Sequence, residues 1–242
     1  MWEICLEKLE KLKNLDRQFQ VFGAEEHQYI LNSPLPDEVI EEIEEEIEIP
    51  LPLELKRFYA EAGNGIAGPD YGLTDIYGLR GIRANAPYVD VEALKRKLSR
   101  KYLDEGNLSG LVSVVAQGCG HEICLITSGE KAGKVVYVSG DGYVDETDRN
   151  LVEYYEKWLD DHLDKFETVE ALMRAGRSYQ EIDEAVSEKF ASYDAGDIIS
   201  SIADAEKPVE LFGTRHHKIY HGAVQLPWYE KVLRQWRESN LQ

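Results

Sequence analysis

Cysteine is scarce: Cys5, Cys119 and Cys124 are the whole complement, an odd number that closes no complete disulfide framework and suits a reducing compartment. Long apolar runs are absent, none approaching the roughly 20 residues that a bilayer-crossing helix needs, so no membrane partner is expected. The opening residues, Met1 to Glu10, thread charges through their apolar positions where a secretory signal keeps an unbroken core, and a cytoplasmic protein is expected. Basic side chains are in deficit as well, 27 against 46 acidic ones for a formal charge of −19. Such a surface repels nucleic-acid phosphates and steers a basic partner toward itself. Catalytic signatures are also missing. No Gly-x-Ser-x-Gly elbow occurs and no Ser or Cys is tied by a motif to a His and an acid, so no catalytic residue is assigned and a non-enzymatic protein is expected.

What is present is organised around Leu51 to Leu73. Pro52 stands where a helix tolerates proline, in its first turn, and Leu55, Phe58, Tyr59 and Ala62 recur at helical spacing. Gly63 ends that helix, and Asn64-Gly65 and Gly68-Pro69 then turn the chain twice before Tyr71-Gly72-Leu73 enters a strand. Upstream, Trp2, Leu6 and Leu9 mark a first amphipathic helix, followed by a polar stretch from Asn14 to Asn32. Val39, Ile40, Ile43 and Ile47 then recur at helical spacing among Glu41, Glu42, Glu44, Glu45, Glu46 and Glu48, which form an acidic ridge.

Downstream, Thr74 to Pro87 is turn-rich, and Asp90 N-caps a helix through about Asp104. That helix gathers Lys95, Arg96, Lys97, Arg100 and Lys101 on one face, read as solvated and paired with its own acids. Leu111 to Ala116 is a strand buried on both faces, and Ile123 to Thr127 with Val135 to Val138 reads as a hairpin. Asn150 and Glu153 have capping-box spacing ahead of a helix bearing Leu151, Tyr154, Tyr155, Trp158, Leu159 and Phe166. Shorter helices follow: Thr168 to Arg174, one opened by the Ser178–Glu181 capping box, and Asp194 to Ala205. Gly213 to Gly222 reads as extended, and Pro227 opens a terminal helix.

Four constellations invite chemistry. Gly129-Glu130-Lys131-Ala132-Gly133-Lys134-Val135 is one residue short of a phosphate-binding loop, lacks its Ser or Thr, and joins two strands, so it is read as a hairpin turn. Cys119, His121 and Cys124 lead into a strand, where neighbours alternate faces, and are not assigned a metal. His216, His217 and His221 lack a completing ligand and have Arg215 and Lys218 beside them; no metal or other cofactor is assigned, although a metal-dependent enzyme using these three stays open. Ala175 to Ile182 looks like the start of a helix-turn-helix, but the next helix would present Asp194, Asp197, Asp204 and Glu206 to phosphate, so nucleic acid is not expected as a partner.

The proline-started helix, the Gly63-Asn64-Gly65 turn and the Gly68-Pro69-Asp70-Tyr71-Gly72-Leu73 loop resemble the signature of the SUKH superfamily, bacterial toxin-immunity proteins with relatives that regulate fungal cell-wall assembly. Gly118-Cys119-Gly120 leading into a strand and Trp158 on a late helix fit the same pattern. The resemblance implies an α+β fold: a central, mostly antiparallel sheet flanked by helices over residues 20–167. An N-terminal helix over 1–19 and a helical C-terminal extension over 168–242, packed on the main domain, lie outside it. It further implies a protein-binding role, the neutralisation of a cognate toxin. Acidity adds a reason for a basic toxin domain as partner. The loop pattern falls on Asn64, Gly65, Gly68, Pro69 and Gly72 as shaping residues, with Asp70, Tyr71, Glu42 and Glu45 as the residues expected to reach the partner. A regulatory scaffold or a homo-oligomer stays open.

Overall fold

The computed structural model describes residues 2–88, 108–139, 143–190, 195–206 and 217–241, with side chains omitted over 217–225. They divide into two compact units, one of Met1–Leu9 with Phe22–Leu159 and one of Glu10–Val21 with Asp160–Gln242. Among the described residues no helix is long and apolar enough to cross a membrane.

The first unit is α+β. Five strands, β1 (Arg80–Ile82), β2 (Leu111–Gly118), β3 (His121–Ile126), β4 (Lys134–Ser139) and β5 (Val144–Asn150), form one antiparallel meander in chain order. Register pairs Leu111 with Ile126, Cys124 with Val136, and Val138 with Val144. These residues, with Leu108, form a buried cluster on one face, against which Ile82 and Tyr88 pack. β2 is buried along its first five residues, as its unbroken apolar run requires.

Helices supply the rest of that core. α1 (Glu3–Leu15) begins in this unit, with Cys5 and Leu9 buried on it and Trp2 buried just before it, and the Trp2 ring meets Phe58 and Tyr155 edge-on at 4.9 and 5.5 Å. A single turn, α2 (Ala24–His27), precedes α3 (Asp37–Ile47), whose Ile40 and Ile43 are buried. Pro52 caps α4 (Leu53–Arg57), which widens into a π-turn over Phe58–Ala62, where the Gly63 N–H reaches back to the Phe58 carbonyl at 3.0 Å. That widening turns Phe58, Tyr59 and Ala62 inward together, and all three are buried.

Two strands have no signature in the residues. β1 falls in the segment read as turns because it is only three residues long. β5, Val-Asp-Glu-Thr-Asp-Arg-Asn, contains a single apolar residue; as an edge strand it keeps charge on its open side, which blunts edge-to-edge pairing. Conversely, Leu73 joins no strand and makes single bridges to Ile66 and Val115. The basic helix expected over Asp90 to Asp104 lies outside the described residues.

The second unit is helical. α5 (Leu151–Arg174) enters it as one helix in place of the expected two, because neither Gly nor Pro interrupts the chain before Gly176. α6 (Tyr179–Lys189) opens on the expected capping box, Ser178 Oγ accepting from the Glu181 N–H. α7 (Ala195–Ala203) buries Ala195, Gly196 and every residue from Ile198 to Ile202, so it has no exposed face with which to read a DNA groove. α8 (His217–Asn240) corrects two expectations: His217 onward is helical rather than extended, and Pro227 falls inside the helix. Its Tyr229 stacks on Tyr179 at 4.4 Å and its Val232, Leu233 and Trp236 are buried, so apolar packing outweighs the backbone donor Pro227 removes.

Candidate functional site

The glycine loop is fastened from within. Asn64 is buried; its Oδ1 accepts the Ile76 N–H at 2.9 Å and its carbonyl accepts from the Asn32 amide at 3.0 Å. The Ala67 carbonyl accepts the buried Tyr155 hydroxyl at 3.0 Å, and the Ile66 N–H donates to the Leu73 carbonyl at 2.9 Å. Gly72 lies at φ +94, and a Cβ there would overlap the Ile66 carbonyl oxygen, so only glycine fits. Pro69 accepts the Gly72 N–H at 2.8 Å, closing the turn that presents Asp70 and Tyr71. The residues expected to shape the loop lie together within it, and Gly68 leaves room for the Tyr155 ring.

At the loop's tip Asp70 takes φ +52, a conformation Asp tolerates, and its Oδ2 accepts the Gln117 amide at 2.6 Å. Partial burial raises its carboxyl above the ordinary range, with the Gln117 hydrogen bond pulling the other way. The Tyr154 phenol is pushed up to about 12, by burial first and then by the Asp70 charge. Tyr71, 43% exposed, tilts against Phe22, 57% exposed, with ring centroids 5.2 Å apart. Tyr71 is thus exposed and lies outside the named strands. Phe22 is held there by Gly23, at φ +80, whose Cα packs so closely on the Asp70 carbonyl that a Cβ would overlap it. Tyr71 also faces Gly118, at the end of β2, next to Gln117.

The acidic ridge splits in two. Glu41, Glu44, Glu45 and Glu48 line an open cleft of about 530 Å³ with Ile49, Pro50 and Asn85, whereas Glu42 is exposed and takes no part in that lining. No basic residue occupies the last turn of α3, so Glu44, Glu45 and Glu48 lie at the negative end of the helix dipole. Glu44 is paired with Lys56 and accepts the Leu51 N–H at 2.7 Å; among the described residues no cation pairs with the other three.

The remaining constellations disperse. Cys119 and Gly120, at φ +52 and +78, form the two-residue turn between β2 and β3, and Cys119 is exposed. His121 bonds the Tyr137 hydroxyl, while Cys124, three residues along the strand, faces the opposite side and its thiol is pushed up to about 12 by burial. Gly129 to Lys134 is the β3–β4 turn, with the Gly133 N–H donating to the Ile126 carbonyl at 2.8 Å. His216 lies outside the described residues, and His217 and His221 are on α8. Among the described residues no group of three or more His, Cys, Asp or Glu could hold a metal.

The sequence marks neither Phe22 nor Gln117 as a site residue and shows Tyr154 only as part of a helix stripe. Phe22-Gly23 carried a weak signal, an aromatic beside a residue free to take positive φ, while Gln117 carried none.

A family model described as the SMI1/KNR4 family (SUKH-1) matches residues 34–157, from just before α3 into α5 and so across the acidic ridge, the glycine loop and the whole sheet. No curated protein matches the chain. With the match spanning half of the sequence and carrying both candidate surfaces within it, the chain belongs to the SMI1/KNR4 family (SUKH-1).

Proposed function

We propose that this chain is a non-enzymatic, cytoplasmic binding protein that neutralises a cognate bacterial toxin, a basic protein domain, through its acidic surface. Family membership is consistent with an immunity or regulatory protein. The observation that favours a basic partner is the α3 cleft, where three of four lining glutamates have no cation among the described residues. Carboxylates crowded at a helix C-terminus are unfavourable in isolation, and a cationic partner relieves that repulsion. Association driven this way is fast and weakens as salt rises. Asp70 and Tyr71 supply the shaped part of the contact, and Glu42 and Glu45 the charged part.

The test is affinity capture from the native lysate at low and high salt, by the native chain and by a Glu42→Lys, Glu45→Lys variant. One basic polypeptide is expected, released by salt and by the charge reversal, that arrests growth when expressed alone and does not when co-expressed with this chain. Recovery of self alone, or of many abundant proteins regardless of salt, overturns the toxin reading in favour of an oligomer or scaffold.

A further inference from the structure

We propose that Phe22, Asp70 and Tyr71 form a receptor for one arginine side chain of the protein partner. The inference rests on the reading that the partner is basic, and it names the residue type recognised and the atoms that recognise it. Asp70 is half-buried, and Gln117, a neutral amide on its Oδ2, is the one donor that the described residues give its side chain. A carboxylate withdrawn from water and served by one neutral donor is under-satisfied, and its second oxygen has capacity to spare. A guanidinium meets that need with two parallel N–H groups, which a lysine ammonium does not.

The aromatic pair argues for the same ligand. Phe22 and Tyr71 are among the large apolar side chains left exposed, and they lie in contact with each other. Asp70 and Tyr71 are chain neighbours that touch consecutive residues of β2, Gln117 through the carboxylate and Gly118 through the ring, so charge and ring are presented from one turn. A planar, weakly hydrated cation stacks on such rings while its edge meets the carboxylate. The frame is rigid: Gly23 packs against the Asp70 carbonyl, and Gly72 against that of Ile66, so little ordering is required on binding.

The experiment is amide NMR of the full chain titrated with acetyl-Gly-Arg-Gly-amide, with its lysine analogue, and with its citrulline analogue, a neutral near-isostere of arginine. Saturable shifts are expected at Phe22, Gly23, Asp70, Tyr71, Gln117 and Gly118 for arginine, and binding weaker by about tenfold or more for citrulline. Asp70→Asn should lose a similar factor while keeping the fold, since Asn accepts positive φ and can still accept from Gln117. Phe22→Ala, at an exposed position, should weaken binding with the rest of the spectrum unchanged. Absence of saturable shifts at these residues, or lysine or citrulline binding as well as arginine, overturns the inference. If a basic partner is captured through α3 and the arginine peptide leaves this loop unshifted, only this inference fails. If the peptide binds here and no basic polypeptide is captured, the broader reading fails and this receptor stands.

Discussion

Each compact unit uses one buried polar side chain to hold a turn that no ladder reaches, and the two differ in charge. In the first, the Asn64 amide carries the glycine loop through the Ile76 N–H. In the second, Asp16, fully buried, accepts the Gln20 N–H and the Ser201 hydroxyl at 2.7 Å on Oδ1 and the Val21 N–H at 2.9 Å on Oδ2, fastening the chain after α1. A neutral amide makes its turn indifferent to proton concentration. A carboxylate accepts more strongly than a neutral amide. The loop that presents Asp70 and Tyr71 is thereby anchored by a side chain that does not titrate.

The strongest test removes both anchors. Asp16→Ala strands three donors at about 1–3 kcal/mol each, for a loss on the order of 5 kcal/mol, whereas Asn64→Ala strands one and costs about 2 kcal/mol. Denaturant unfolding followed by circular dichroism reads the difference, and equal losses would break the comparison. Within the first unit, Gly72→Ala forces positive φ and an overlap with the Ile66 carbonyl, on the order of 4 kcal/mol. Gly129→Ala, at φ +82 with nothing within 4 Å, should cost about 1 kcal/mol from backbone strain alone.

Acid sharpens the contrast. His162, in the second unit, is pushed down from 6.5 to about 4 by burial first and then by Lys165, with Asp16 and Asp161 opposing. Its folded pKa is below its unfolded one, so between the two values the unfolded chain binds more protons. The stability it confers is full above pH 6.5 and is lost as pH falls toward 4, on the order of 3 kcal/mol. Hydrogen exchange of peptides covering residues 10–21, corrected for intrinsic rates, should accelerate over that window while those covering 63–76 hold. Substituting His162→Phe should flatten the response.

Much of the fold was legible because certain residues carry backbone meaning. Gly63 to Gly72 announced a turned loop, two short apolar runs on either side of the Gly129–Gly133 loop a hairpin, and the apolar run of β2 a central strand. β5 was illegible because an edge strand with charge on its open side has no hydrophobic period. In the site, Asp70 and Tyr71 could be found as chain neighbours in the loop. Gln117 could not, since it meets Asp70 from 47 residues away and only the β2 pairing brings it there. The ridge was legible as charge, but which glutamates face the cleft depends on Ile49, Pro50 and Asn85, which pack beyond the helix.

The smallest predicted effect compares two helix starts of the same design. At α5, Glu153 N–H donates to Asn150 Oδ1 at 2.9 Å while Asn150 N–H donates to Glu153 Oε2 at 2.8 Å. At α6, the Ser178 N–H bond to Glu181 Oε2 is as short, 2.8 Å, but the return bond from Glu181 N–H to Ser178 Oγ is longer, 3.3 Å. Asn150→Ala should cost about 1 kcal/mol and Ser178→Ala somewhat less, since the longer bond is the weaker one. The Glu181 carboxyl is held below its ordinary range chiefly by the Ser178 backbone N–H, so this cap is present at neutral pH and loosens as acid protonates it. Thermal unfolding of the two variants at neutral and acidic pH separates the cases. If Ser178→Ala proves the costlier, the start of α6 is held by its cap rather than by packing, through Ile182 and Val186, which are buried behind it.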